Sequence, residues 1–493
     1  MFRFGVLIWI LLLSGCQSPR GLLTTLGPDY KPTSVSTPKE WQVPPLPHSG
    51  SVASLKDWWS QFRDPLLISF ISEAQAVSSN VADAQALIVR ARANAVVAEA
   101  KPVPALNLTA DANRSAFSFG GPVTYRSLTS IGLQSSWEID LFGGLARERE
   151  AALAALQSAQ ANWHAARVAI AVEVATAYFN YRYCQTQIIL LQQERDAQER
   201  IVQSLTEAVK VGLQPAAVAS LAQAKLAELQ RTLTARATDC DVAIKGLVAL
   251  TAQDEPTLRR QLAVQLPVAT VAQLPAPPTF VLPTLPAELL NQRPDLFMAE
   301  RAVAQASAAI GIESARWYPR LSLTGSITPT RQSINDGPVS NVRTWSVGPS
   351  LLLPLIQGGR RSANLAAAQA EYEAAKAAYV SKARQAVREV EEAMLRVQSA
   401  QQESAYLVQA YQAVQENMTA VTTREQAGFA NRIELQDARR SLLQAEQAWL
   451  QVKHEQINAW VSLYRALGGG WQQDSLALNT DYRLSSSAPR TPQ

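Results

Sequence analysis

Residues 104–109 read PALNLT, and residues 319–324, 215 positions further along the chain, read PRLSLT. Three further pairs of short segments recur at offsets of 215 to 217 positions: 142–144 with 357–359, 211–213 with 427–429, and 249–251 with 466–468. Four matches that keep one spacing across half of the chain indicate a tandem duplication of about 215 residues. The sequence therefore predicts two equivalent repeats in place of the three domains that 493 residues would suggest.

Each predicted repeat contains a helix, a β-hairpin and a long helical hairpin, in that order. In the first repeat, residues 66–255, the β-hairpin covers 105–140 and the helical hairpin 145–255. In the second repeat, residues 294–468, these elements cover 320–356 and 360–467. The remaining segments are a signal peptide, an N-terminal segment, a Pro-rich linker and a tail that we expect to be partly disordered: 1–15, 16–65, 256–293 and 469–493.

The helical hairpins contain long tracts without Gly or Pro, residues 145–211 and 360–427. Apolar residues recur there at intervals of three and four, which is typical of helices. A straight helix of this length would extend roughly 100 Å. A compact soluble domain does not need helices of that length, although an ordinary coiled-coil rod would have the same periodicity.

Apolar and small polar residues alternate in each of the four predicted strands. Leu106 and Leu108, for example, alternate with Asn107 and Thr109. One apolar and one polar face are typical of a transmembrane β-barrel, although a soluble β-sandwich has the same pattern. Four strands cannot close into a barrel, and lipid does not tolerate open strand edges. A barrel would therefore need several chains: two would give eight strands and a filled interior, and three would give twelve strands and a lumen.

The composition argues against several classes of function. The formal charge of +4 is spread over 45 basic and 41 acidic residues, which makes nucleic acid an unfavourable partner. The three histidines, His48, His164 and His454, are far apart in the sequence, and no nucleophile or metal-ligand spacing accompanies them. The sequence therefore predicts a protein that is not an enzyme and that has no metal site and no cofactor.

The N-terminus has the pattern of a bacterial lipoprotein signal. An apolar run from Val6 to Leu13 follows Arg3, and small residues precede Cys16. The run is about half as long as a membrane-spanning helix, which is typical of a signal peptide. We expect Cys16 to be diacylated and to anchor the mature chain, whereas a plain secretory signal is the alternative. Gln17, in place of an aspartate, favours the outer membrane.

Several short motifs resemble those of the TolC/OprM-type outer membrane factor family, in its lipoprotein, NodT-like branch. They run in order from the lipoprotein signal to the end of the second repeat: GPDY at 27–30, WW at 58–59, DP at 64–65, DLFG at 140–143, QRPDL at 292–296, YP at 318–319 and LIQGG at 355–359. The resemblance implies a homotrimer with a twelve-stranded barrel in the outer membrane. It also implies a long α-helical coiled-coil barrel across the periplasm, with the N-terminal segment and the linker wrapped around its equatorial region.

The same resemblance implies a function. Such a protein would be the passive exit duct of a tripartite efflux system, through which small toxic compounds or drugs leave the cell. It would be anchored in outer-membrane lipids and would bind a periplasmic adaptor protein and an inner-membrane pump. A duct for type I protein secretion and a structural coiled-coil lipoprotein of the envelope are the alternatives.

The resemblance also suggests roles at the turns of the helical hairpins. We expect Gly212, Leu213, Gly428 and Phe429 to contact the adaptor. Family members have acidic residues six and nine positions after the second turn glycine, where three chains form a constriction; here these are Glu434 and Asp437. Converging carboxylates would attract cations, and Arg432 could pair with Glu434 of a neighbouring chain. Two solvated acids that favour a helix N-terminus are the simpler interpretation.

Two cysteines stand at equal distances from the first turn. Cys184 precedes Gly212 by 28 residues, and Cys240 follows it by 28. In an antiparallel hairpin they would lie side by side, and the envelope is oxidising, so a disulfide is a candidate. The usual helix spacing of about 8–10 Å exceeds the span of a disulfide, which leaves the bond undecided at this stage.

Overall fold

A computed structural model describes residues 20–32, 58–264 and 292–471. Cys16, the signal peptide and residues 472–493 lie outside the described residues, as does most of the predicted linker. The described helices are α1 Pro65–Val77, α2 Ser79–Ala100, α3 Gly144–Lys210, α4 Ala216–Thr251, α5 Glu255–Val264, α6 Pro294–Ala315, α7 Arg360–Gln426 and α8 Arg432–Ala466. The strands are β1 Ala105–Phe117, β2 Thr124–Ile139, β3 Arg320–Ile334 and β4 Ser340–Leu352, and a 3-10 helix covers Trp58–Phe62.

Two features depart from the expected order of elements. The Gly/Pro-free tract at the start of the first repeat is two helices, because Ser78 is extended, with ψ at 123°, and its hydroxyl accepts a hydrogen bond from Val81 N. A serine side chain that caps a new helix competes with continuation of the old one. In addition, the first residues of the predicted linker form helix α5, which begins at Glu255.

The four strands form one antiparallel sheet in the order β1-β2-β3-β4. β2 of the first repeat pairs with β3 of the second, so the two repeats share the sheet. Directly paired residues have side chains on one face, and Leu108, Leu133, Ile327 and Trp345 make one such row. We call this side the apolar face; its members are Leu106, Leu108, Ile131, Leu133, Trp137, Ile139, Leu321, Leu323, Ile327, Trp345, Val347 and Leu351.

The opposite side, the polar face, has small hydroxylated residues along β3 and β4. Ser326 and Ser346 share a hydrogen bond of 2.9 Å, and the Thr344 hydroxyl donates to the Thr328 carbonyl. The side chains of the apolar face are exposed: Leu108 is 71% exposed and Trp345 74%. A polar face opposite exposed leucine and tryptophan side chains is the arrangement of a barrel wall in lipid.

Backbone contacts divide the chain into two units. Unit one contains residues 20–32, 86–160 and 297–381, and so includes the sheet. In it, the buried Arg147 of α3 donates to the Leu26 and Gly27 carbonyls and pairs with Asp29 at 2.7 Å. Leu22 N also donates to the Asp140 carbonyl. These bonds hold the N-terminal segment against the start of α3.

Unit two contains residues 58–85, 161–264, 292–296 and 382–471 and has an aromatic core. Trp58, Phe62, Phe179, Trp460 and Tyr464 are buried there. None of the described helices is apolar over a length sufficient to cross a membrane.

Two charged side chains are buried in unit two at the motifs that resemble the family. Asp64 caps α1 and accepts hydrogen bonds from the Tyr178 hydroxyl at 2.6 Å and from Arg182 at 2.9 Å. Burial raises the pKa of Tyr178, so its hydroxyl stays protonated and donates. At the QRPDL motif, Arg293 donates to the Ala466 carbonyl at the end of α8 and to Glu389 of α7. The first motif therefore holds the start of the first repeat against α3, and the second motif holds the start of the second repeat against α7 and α8.

Candidate functional site at the helical turns

The two helical hairpins turn through the same backbone motif. At the end of α3, Leu213 N donates to the Ala208 carbonyl, and at the end of α7, Phe429 N donates to the Arg424 carbonyl, both at 2.8 Å. The residue directly before Leu213 is Gly212, with a φ of 73°, and the residue directly before Phe429 is Gly428, with a φ of 79°. Such a left-handed glycine ends a helix in a Schellman motif. The duplication has therefore preserved both turns.

An apolar side chain is exposed at each turn. Leu213 is 75% exposed and Phe429 78%. A β-carbon added to Gly212 or Gly428 would contact nothing within 4 Å, so the positive φ, and not crowding, favours glycine. Exposed apolar groups on tight turns form a surface that another protein can contact.

Glu434 lies in a network at the second turn. Its carboxylate pairs with Arg424 of the same chain at 2.8 Å, and Arg424 also donates to the Phe429 carbonyl at 3.2 Å. Glu434 N donates to the Asn431 side chain, which caps α8. Arg424 and Asn431 were not among the residues that the sequence singled out. An N-cap asparagine three positions before a glutamate, as in a capping box, is the sequence signal for this turn.

The two other residues expected at the constriction have different surroundings. Asp437 pairs with Arg440 on its own helix at 2.8 Å and is half exposed. Within the described part of the chain, the structure gives Arg432 no ion pair. The expected pairing of Arg432 with Glu434 concerns a neighbouring chain and stays a prediction, although Glu434 already has Arg424 as a partner within its own chain.

The first hairpin has no acidic residues at the equivalent positions. Val218 and Leu221 stand there, 38% and 74% exposed. The two hairpins nevertheless pack together near their turns, because Ile433 of α8 lies against a small cluster formed by Ile201, Leu205 and Ala222. The acidic groups therefore belong to one hairpin of a packed pair.

The candidate cysteines are bonded to each other in the structure. Cys184 of α3 and Cys240 of α4 form a disulfide, and their Cα atoms are 5.6 Å apart. Both residues are buried, and the bond joins the two helices of the first hairpin. A Cα separation of 5.6 Å is within the usual span of a disulfide, so the two cysteines face each other across the hairpin.

No group of acidic, histidine or cysteine residues in the described ranges is arranged to hold a metal ion. His454 stacks on Tyr183, with ring centroids 4.2 Å apart, and its Nε2 lies 2.7 Å from the Asn180 side chain. Burial lowers the pKa of His454 and thereby favours its neutral form. Its surroundings are those of a packed residue between helices.

Comparisons with known proteins agree with this geometry. The chain matches the family described as Outer membrane efflux protein over residues 70–253 and 285–469, one segment for each repeat. It is 28% identical to Nodulation protein T of Rhizobium leguminosarum bv. trifolii, over 95% of this chain and 97% of that protein. It is also 28% identical to Outer membrane protein OprJ of Pseudomonas aeruginosa, over 96% of each.

The fold is similar to that of a solved channel. The outer-membrane channel OprN superposes with a TM-score of 0.76 and 26% sequence identity, over 91% of this chain and 99% of that one. The family match covers more than half of the chain and both of its repeats. The protein therefore belongs to the outer membrane efflux protein family, whose members are channels of the outer membrane.

Proposed function

We propose that three copies of this chain form the passive exit duct of a tripartite efflux system. The duct accepts small toxic compounds from an inner-membrane pump through a periplasmic adaptor. The observation that supports this most directly is the four-stranded sheet, which has an exposed apolar face and ends in β1 and β4. Open strand edges are not tolerated in lipid, so the sheet must be completed by other copies. Twelve strands enclose a lumen, which the polar faces line.

A complementation experiment tests this function. A strain that lacks the chain but keeps its adaptor and pump should accumulate a fluorescent toxic dye, and expression of the chain should restore export. Replacement of Cys16 by Ser should leave the fold intact and reduce the amount in the outer membrane, because lipidation adds an anchor. If the strain that lacks the chain accumulates no more dye than the strain that expresses it, and loses a secreted protein from its medium, the secretion duct would be favoured instead.

We further propose that the two turns are the adaptor-binding surface. Valine at Gly212 or Gly428 would have to adopt a left-handed φ, which costs about 1–2 kcal/mol and would distort the turn. We expect the G212V and G428V variants to retain less adaptor in a pull-down with the purified partner.

A second pair of variants separates contact from turn geometry. Leu213→Ser and Phe429→Ser keep the glycines and remove the exposed apolar groups, and they should also weaken adaptor binding. Tyr406→Ser is the control, since Tyr406 is 71% exposed but lies 20 residues before the end of α7 at Gln426. Full adaptor retention by all four turn variants would contradict the proposal.

We propose that Glu434 and Asp437 form the periplasmic constriction. Three copies would bring six carboxylates together, with Arg424 bound to each Glu434. This pairing supports a refined role for Glu434, because a carboxylate held by an arginine is fixed in position and partly neutralised. Asp437, which is half exposed, would then contribute most of the attraction for cations.

A further inference from the structure

Three arginines interrupt the apolar face of the sheet at its loop end. Arg114 of β1 pairs directly with Ser127, two residues along β2 from Thr129. Thr129 in turn pairs with Arg331 of β3, and Arg343 of β4 pairs with Pro329. Directly paired residues share a face, so these arginines lie on the same side as Leu108 and Trp345 and not on the polar face.

The arginines begin where the apolar face ends. Leu351, Val347 and Trp345 occupy the apolar positions of β4, and the next side chain on that face is Arg343. At about 3.3 Å per residue, Arg343 lies roughly 7 Å beyond Trp345 along the strand. An apolar band with an aromatic side chain at its border is the signature of a membrane interface. The arginines therefore lie at the level of lipid head groups.

Two of these arginines have no acidic partner among the residues that the structure describes. Arg114 pairs with Asp336 at 3.0 Å and lies over the Tyr125 ring. Arg331 and Arg343 are exposed, and the structure gives neither an ion pair within the described ranges. They stand on adjacent strands, two positions out of direct register, a distance at which long side chains can reach one another. The pair therefore presents uncompensated positive charge toward lipid.

The loop end of the sheet is the end remote from the helices. All four strands are antiparallel, and each joins its neighbouring helix at the opposite end. If the helices extend into the periplasm, as in the proposed duct, then the loop end lies in the outer leaflet. The outer leaflet is the side of the membrane that carries phosphorylated glycolipid.

We propose that Arg331 and Arg343 form a binding site for the phosphate groups of lipopolysaccharide on the outside of the barrel, with Arg114 beside them. This inference rests on the proposed orientation of the duct. Guanidinium groups bind phosphate through paired hydrogen bonds, and they do so better than a point charge would. The site would fix the height of the barrel in the membrane and surround it with the outer-leaflet glycolipid.

The test measures binding of bis-phosphorylated lipid A to the purified full-length protein in detergent, by native mass spectrometry or thermophoresis. The double variant Arg331→Gln/Arg343→Gln should bind it about thirtyfold more weakly, the loss expected for two basic side chains at an anionic lipid. The matched control is Arg126→Gln, because Arg126 lies at the same end of the sheet but on the polar face, where it donates to Gln332. The control should bind like the unaltered protein.

Two further arms distinguish the ligand. Dephosphorylated lipid A should bind all variants equally. The Arg331→Lys/Arg343→Lys variant should bind the phosphorylated form more tightly than the double glutamine variant and more weakly than the unaltered protein, because lysine keeps the charge and loses the paired hydrogen bonds. Equal binding by the double glutamine variant would overturn the proposal, and so would equally strong, arginine-dependent binding of phosphatidylglycerol. Oligomeric mass and dye export are measured on the same variants. If only the glycolipid proposal is wrong, the unaltered protein is still a trimer that exports dye. If the duct proposal is wrong, the unaltered protein itself does not form a trimer or does not export dye.

Discussion

At the residue scale, the second turn combines a helix stop, a helix start and an ion pair. Arg424 connects the last turn of α7 to Glu434 in the first turn of α8, and Asn431 caps α8 between them. The side chains of this ion pair are 54% and 39% exposed, so the pair contributes little to global stability. In the proposed duct, the pair would position this carboxylate at the periplasmic mouth.

Neutral substitutions at these acids should change ion selectivity. We expect Glu434→Gln/Asp437→Asn to reduce the preference of the channel for cations and its block by divalent cations, because the carboxylates would converge in a narrow pore. The measurement is the reversal potential of single channels in a planar bilayer under a salt gradient. Glu228→Gln is the control, since Glu228 pairs with Arg231 on the first hairpin in the way that Asp437 pairs with Arg440. Unchanged selectivity in the double variant would leave Glu434 and Asp437 as ordinary solvated acids.

His164 should make the stability of the protein depend on pH. Burial, together with the charge of Arg167, lowers the pKa of His164 to about 4, from about 6.5 in an unfolded chain. The unfolded state therefore binds the additional proton first, and stability is lost as the pH falls from about 6.5 toward 4. The melting temperature of His164→Gln should fall less over this range than that of the unaltered protein. An equal fall in the melting temperature of both proteins between pH 6.5 and pH 4 would show that His164 does not cause this loss of stability.

At the element scale, the disulfide joins α3 and α4 within the first hairpin. The second hairpin is joined by non-covalent contacts, among them the Arg424–Glu434 ion pair and a hydrogen bond from the Gln456 side chain to the Ala400 carbonyl. The bond closes a loop of 56 residues, which in the chain-entropy model stabilises the folded state by about 4 kcal/mol. We expect Cys184→Ser/Cys240→Ser to have a lower melting temperature and to be insensitive to reductant.

The unaltered protein under reducing conditions is the matched comparison for this variant. It should melt close to the double serine variant, and both should melt below the oxidised protein. Peptide mapping without reduction should recover the two cysteines as one linked peptide. Two free thiols in protein isolated from the envelope would show that the bond does not form there.

The elements differ in how far the sequence predicts them. The prediction of a mainly helical chain with four strands in two repeats is confirmed, because alternation and the absence of Gly and Pro are local signals. The sequence does not predict the helix break at Ser78, because a serine that caps a helix cannot be told from any other serine in a polar stretch. The sequence also does not predict the ion pair between Arg424 and Glu434. The two residues are ten positions apart, and only the geometry of the turn between them brings them together.

At the scale of the whole molecule, one chain supplies only part of a channel wall. The resemblance to the outer membrane factor family and the prediction of an outer-membrane efflux channel are confirmed by the family match and by the similarity to solved channels. The number of chains, however, decides whether there is a conduit at all.

The mass of the protein extracted from the outer membrane tests this central claim most directly. Two chains would provide eight strands, whose interior is filled by side chains, and three would provide twelve strands around an open lumen. Native mass spectrometry of the detergent-solubilised protein should therefore give three times the mass of the mature chain. A monomer or a dimer would contradict the account, because neither can close the sheet around a passage.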